Sequence, residues 1–273
     1  MQKSYYGWGL PADISTNGAG IDRLMWIIHI SMIVLFVGWT IFLVYTLIRF
    51  RQRPGRKAEY HEKHFKLPTV VEGVIAVFEV VLLAAFSTPI WNNVRTHFPP
   101  DDQALHVRVV AQQFAWNVHY PGADGRFGKT DPKLMDSSNP VGLDRGDADA
   151  QDDIVTINQL HVPARKPVIV QLSSKDVIHS FTLPVMRVKQ DAIPGESIRV
   201  WFEATEPGEF EIACAQLCGL GHYRMRGFFV VDTPEKFDEW QKSEAPKVEA
   251  VPAPTPAVQA ADASAPETES AHT

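Results

Sequence analysis

Cysteine is nearly missing from this 273-residue chain: Cys214 and Cys218 are the only two, so at most one disulfide can form. Cys-x-x-Cys-His does not occur, which excludes a fused c-type haem. Charge is missing as well, but only locally. Residues 24–48 hold no Asp, Glu, Lys or Arg across 25 positions. As a helix rising about 1.5 Å per residue they reach roughly 37 Å, more than a hydrocarbon core of about 30 Å. Residues 70–91 are apolar apart from Glu72, Glu79 and a few small polar side chains. Two such lengths side by side predict two membrane spans, a hairpin over residues 23–91, rather than the buried hairpin of a soluble protein. A cleavable secretory signal is not expected either, because the first apolar stretch is too long and no small-residue cleavage site follows it.

What is present between the spans sets their orientation. The segment "RFRQRPGRKAEYHEKHFK" carries seven Lys/Arg against two Glu, and short basic loops stay on the cytoplasmic side. Both termini are then expected outside: residues 1–22 as a polar, Gly-rich, irregular segment with Asp22 as a helix cap, and residues 92–242 as one extracytoplasmic domain. That domain has 16 Lys/Arg and 21 Asp/Glu, a net of 16 − 21 = −5, which argues against nucleic acid and suits a basic protein partner. Residues 243–273 are rich in Pro, Ala and acid and are expected to be disordered.

Helical periodicity is scarce in the outer domain. "ALHVRVVAQQFAWNVHY" reads as one long β segment, and the Gly-, Pro-, Asp- and Asn-dense stretch after it as a long loop. Shorter strands follow: "DIVTIN", "PVIVQLSS", "HSFTLP", "SIRVWFEA", "GEFEIAC" and "RGFFVVD". A brief helix is expected over 234–242. Short strands broken by turns predict a β-sandwich with Greek-key connections.

Both cysteines fall in "CAQLCGLGHYRM", with His222 four positions after the second and Met225 three after that. Alternation in "GEFEIAC" puts Phe210, Ile212 and Cys214 on one face, so Cys214 ends a strand and the following residues form a rim loop in which Gly219 and Gly221 give the backbone freedom. In an oxidising compartment two thiols either pair or hold a metal. Thiolate, imidazole and thioether together point to copper, since zinc rarely takes a thioether and hard cations want oxygen. A single-copper electron-transfer site uses one cysteine, whereas two thiolates can bridge two copper ions. His179 in "DVIHSF", at the start of a strand, is the candidate second histidine. His29 lies within the first span and the remaining histidines lack comparable context.

"CAQLCGLGHYRM", "DVIHSF" and "VKQDAIPGE" resemble the subunit II of haem-copper cytochrome c oxidases, along nearly the whole chain up to about residue 242. The resemblance implies a cupredoxin-like fold and a binuclear copper (CuA) centre bridged by Cys214 and Cys218. It implies that His179 and Met225 serve one copper, and His222 and the Gln216 carbonyl the other. It further implies single-electron transfer from a cytochrome c, or a membrane-bound c-type cytochrome, to haem in subunit I, where oxygen is reduced and protons are pumped, with subunit III alongside in a bacterial inner membrane. Many relatives have Glu where Gln216 stands, which puts a Mg or Mn site at the subunit I interface in doubt. Phe114 and Trp116 fall where the family places its electron-entry aromatics, and Glu72 where it places a proton-pathway mouth; Glu79 has no family role. Asp176, Asp191 and Arg224 are candidates to orient ligands or meet subunit I. Two rivals remain at this point: a membrane-tethered copper chaperone, and a structural β-domain with a disulfide or zinc.

Overall fold

The computed structural model describes residues 9–57 and 65–246. Its first helix, α1, runs Gly18–Phe50. The second apolar helix spans Leu67–Arg95 in three pieces: α2 (Leu67–Val81), a wider π-turn (Leu82–Ser87) and α3 (Thr88–Arg95). The wide turn has a local cause. Pro89 has no N–H to give, and its ring crowds the preceding turn. The chain opens by one residue there, and Thr88 sends both its N–H and its hydroxyl to the Leu83 carbonyl. Both helices are long and apolar enough to cross a membrane, and the apolar windows that qualify them are not buried against protein. Phe36, Trp39, Val74 and Leu83 all point outward, which water would penalise and lipid would not.

The N-terminal segment is more ordered than its polar, Gly-rich composition suggests. Ile14 is buried in the β-domain core, its N–H bonds the Val185 carbonyl at 3.0 Å and its carbonyl accepts from Thr205 N–H at 2.8 Å. Asp22 does not cap the helix. It lies within α1, where its two oxygens take Arg187 Nε at 2.6 Å and Nη2 at 2.8 Å. The helix starts six residues before residue 24 because this pairing removes the objection to a charge inside the first turns. Segment 9–17 and the β-domain therefore sit at the same end of α1.

Ten strands form two five-stranded sheets. The first runs in the order β3 (Ile154–Ile157), β2 (Ala115–Tyr120), β1 (Leu105–Gln112), β5 (Pro167–Ser174), β8 (Ile198–Glu203). The second runs β4 (Gln159–Pro163), β10 (Arg226–Asp232), β9 (Gly208–Cys214), β6 (His179–Leu183), β7 (Val188–Ala192). Together they make a cupredoxin-like sandwich. Strand β1 alternates buried and half-buried along its whole length, as a strand facing a core on one side must. Trp116, Phe181, Phe202 and Phe229 fill the space between the sheets.

Three features depart from the pattern read along the chain. The expected single run over residues 104–120 is two antiparallel strands that pair Gln112 with Ala115, so the chain reverses over Gln113 and Phe114. Strands β4 and β7 were not expected: β4 alternates only over the four residues Gln159 to Val162 before Pro163, and β7, with Lys, Gln and Asp in its middle, shows no apolar alternation. The terminal helix α4 spans Pro234–Glu244, longer than the expected 234–242, with Thr233 as its cap. The expectation of a disordered tail falls mostly on residues 247–273, outside the described residues.

Candidate metal centre

Pairing of β6 with β9 sets Phe181 opposite Cys214, which brings His179, at the start of β6, beside the end of β9. Beyond Cys214 the chain loops outward, then turns back through a short 3-10 turn at His222–Arg224 that returns Met225 to the core at 2% exposure. The two thiols are free and their sulfurs lie 3.8 Å apart, far beyond disulfide bonding. His179 Nδ1 stands 4.0 Å from Cys214 Sγ and 3.2 Å from Met225 Sδ. His222 Nδ1 stands 3.6 Å from Cys218 Sγ. Cys218 Sγ is also 3.7 Å from Met225 Sδ, and the Cys214 thiol donates to the Gln216 carbonyl at 3.2 Å. All six expected ligand groups thus gather around one sulfur pair.

Asp176, itself partly exposed, holds the buried His179 ring of this cluster. One carboxylate oxygen accepts from His179 Nε2 at 2.9 Å and from Val177 N–H at 2.7 Å; the other accepts from Gln113 N–H at 2.7 Å. Partial burial works to raise the Asp176 pKa, but these donors outweigh it and hold the carboxyl below its ordinary range. A charged carboxylate at Nε2 keeps the proton there and leaves the Nδ1 lone pair turned to the sulfurs. Burial, reinforced by the neighbouring Cys214 thiol, pushes the Cys218 pKa up to about 11. Without a metal this thiol keeps its proton at neutral pH.

Residues outside the ligand motif complete the enclosure. Gln113 Nε2 donates to the Cys218 carbonyl at 2.7 Å, so the β1–β2 turn grips both the Asp176 loop and the cysteine loop. Gly219 has φ +135°, which fits the freedom expected of it. Gly221 does not need that freedom; a Cβ there would lie 2.4 Å from the Phe114 ring, so its hydrogen makes room for an aromatic wall. Around this centre Leu217, Leu220 and Tyr223 are exposed. Gln113 and Phe114 were legible only as part of an aromatic strand, while Asp176 three residues before His179 was a detectable signal.

The other expected residues lie elsewhere. Trp116 is fully buried, its ring centroid 6.2 Å from that of His179, so a docked donor cannot touch it. Phe114 is half-buried at the loop. Glu72 and Glu79 are seven residues apart on α2, on one exposed face, away from the sulfur pair in sequence and fold. Arg224 is exposed, and Asp191 in β7 pairs across the strand with Ser180. Among the described residues, His179, Cys214 and Cys218 are the group of metal-ligating side chains close enough to share an ion, and no carboxylate cluster joins Gln216. The chemistry of this donor set, two thiols, two imidazoles, a thioether and a carbonyl, fits copper and fits neither a hard cation nor a four-ligand structural zinc.

Comparison with known proteins bears on the family. Residues 105–232 match the family model for the periplasmic domain of cytochrome c oxidase subunit II. The chain is 36% identical over 237 residues to an alternative cytochrome c oxidase subunit 2 of Bradyrhizobium diazoefficiens, covering 85% of this chain and 82% of that protein. It is 28% identical to a cytochrome c oxidase subunit 2 of Cereibacter sphaeroides, covering 83% of this chain and 76% of that protein. Among solved structures it is similar to the periplasmic domain of subunit II of the cytochrome oxidase of Bradyrhizobium japonicum, with 30% identity, TM-score 0.40, and coverage of 54% of this chain and 96% of that one. A copper chaperone and a free-standing structural domain are not favoured by these matches. With two apolar helices, an extracytoplasmic sandwich and relatives matched over most of their length, this chain belongs to the cytochrome c oxidase subunit II family, the oxidoreductase subunits that work within haem-copper oxidases.

Proposed function

We propose that Cys214, Cys218, His179, Met225, His222 and the Gln216 carbonyl hold a binuclear copper centre, and that the chain relays single electrons from a c-type cytochrome to haem in subunit I. Two free thiols 3.8 Å apart, with an imidazole nitrogen beside each, carry this proposal. A copper pair bound there would supply a one-electron carrier with its charge spread over both thiolates. The protein's part is to hold the donors still. Asp176 fixes the His179 ring, Gln113 fixes the Cys218 carbonyl, and Met225 and Phe114 keep water from the buried side. Small ligand movement keeps reorganisation low.

Oxygen reduction and proton pumping then belong to the assembled oxidase with subunits I and III. Of the two aromatic candidates for electron entry, Phe114 is the one within a donor's reach. Glu72 serves as the mouth of a proton path into subunit I: an acid on an exposed apolar helix face is expensive in lipid unless a polar partner covers it. Gln216 offers a carbonyl to copper, and among the described residues no carboxylate group gathers beside it to hold Mg or Mn. Both termini lie on the side of the β-domain, consistent with segment 9–17 docking on the sandwich and with the basic loop between the spans. In purified full-length protein, Cys218→Ser removes the mixed-valence electron paramagnetic resonance and near-infrared signals while the hairpin stays inserted. Two copper atoms and an unaltered spectrum in that variant overturn the assignment.

A further inference from the structure

The outer face of the first sheet, away from the sulfur pair's core, carries a row of polar side chains that the electron relay does not use. Cross-strand register sets His119, Arg108, Gln171 and Arg199 side by side over β2, β1, β5 and β8. A cavity of about 520 Å³ opens over part of this row, within the range of small-molecule sites. Arg108, Gln171, Ser173 and Lys175 line its floor and the loop after β2 closes one side through Thr130. No carboxylate lines it, in a domain whose net charge is negative.

We infer that this cavity binds a small phosphate-bearing anion, with the Arg108 guanidinium as its cationic contact and the Lys175 ammonium further along the same cavity. The guanidinium is half-buried over the Phe127 ring, its carbon 4.0 Å from the ring centroid, and among the described residues it donates no hydrogen bond. Its planar fork of N–H groups is thus held in place by stacking and left free for two oxygens of one ligand, a geometry that phosphate matches. Lys175 Nζ is held by Gln112 Oε1 at 2.6 Å and keeps two further donors. Burial lowers the pKa of both cations, Arg108 despite the charge of Asp153 and Lys175 despite that of Asp176. Partial burial is thus only partly offset by the nearby carboxylates, and a bound dianion would offset more of it. Ser173 adds a hydroxyl donor on the floor and Thr130 one at the side, and the Gln171 amide lies beside Arg108 in the β1–β5 register.

Isothermal titration of the full chain in neutral detergent, with inorganic phosphate and pyrophosphate at constant ionic strength, tests the inference. One saturable site is expected, with affinity at least tenfold weaker in Arg108→Gln. Gln171→Glu is the second variant, because Gln171 is exposed and the change puts a negative charge in the cavity without touching the core; it is expected to weaken binding at least as much. Micelles doped with phosphatidylglycerol distinguish the sources of phosphate: competition with pyrophosphate assigns the site to a lipid headgroup, and unchanged affinity assigns it to a soluble anion. Absence of saturable binding, or equal affinity in the wild type and both variants, overturns the inference.

Discussion

The two imidazoles of the sulfur cluster are held in different ways. His179 is fully buried at the start of a core strand, and the nitrogen facing away from the sulfurs is bonded to a carboxylate that itself has two backbone donors. His222 is half-exposed in a one-turn helix, and its side chain has no described hydrogen-bond partner beyond the Cys218 sulfur. One ring is fixed by a hydrogen-bond network before any metal arrives, the other by the shape of its loop. Disturbing Asp176 should therefore act through electrostatics and disturbing the loop should act through packing.

The loop side gives the larger effect. Gly221→Ala places a methyl about 2.4 Å from the Phe114 ring, inside van der Waals contact, and should destabilise the folded chain by about 1–3 kcal/mol. Denaturant unfolding of the full chain in detergent measures this. Phe114→Ala in the same chain should restore much of the loss, because the two positions share one contact. If Gly221→Ala is as stable as wild type, the loop is not held by Phe114.

On the network side, Asp176→Asn keeps the side-chain shape but removes the charge that holds the His179 proton on Nε2. Copper affinity, measured by chelator competition, should fall about 10–100-fold, as for other carboxylate–histidine supports. Folding should change little, since Asp176 is exposed on its outer side. A loss below about twofold would make the two histidines equivalent and end the contrast drawn here.

Acidity probes both sides at once. Cys218 starts with a raised pKa, so the thiol is protonated across the neutral range and a metal must displace that proton. Affinity should fall as pH falls, about tenfold per unit for each thiol proton displaced. Titration of the metal-free chain between pH 6 and 8 checks the slope, and a flat profile would mean that the thiols are ionised before binding.

How much of this was legible depends on how far apart the cooperating residues lie. Cys214, Cys218, His222 and Met225 fall within twelve positions, so their chemistry shows in the sequence. Alternating strands such as β5 and β9 are legible because one face meets the core. The reversal at Gln113 and Phe114 is not, because neither is a turn former and the turn is held by Asp176, 63 residues away. In β2 the alternation of Trp116, Val118 and Tyr120 with Asn117 and His119 marks the inner side; what it hides is that the outer face is covered too, so that five successive residues are buried. The Asp22–Arg187 pair, 165 residues apart, turned an expected cap into a tie between α1 and the sandwich.

Gln113 joins the two sides of the centre and gives the smallest effect. Its backbone N–H holds Asp176, behind His179, while its side-chain amide holds the Cys218 carbonyl, at the root of the His222 loop. Gln113→Ala deletes only the second bond, since the backbone donor remains. One part-buried carbonyl is left without its partner, which should cost about 1 kcal/mol, near fivefold in the equilibrium it affects. Because the lost bond sits on the loop side, the His222 copper environment should change in hyperfine spectra while the His179 environment stays as it was. Equal disturbance of both histidines would mean that the turn acts on the sulfur pair as one rigid unit.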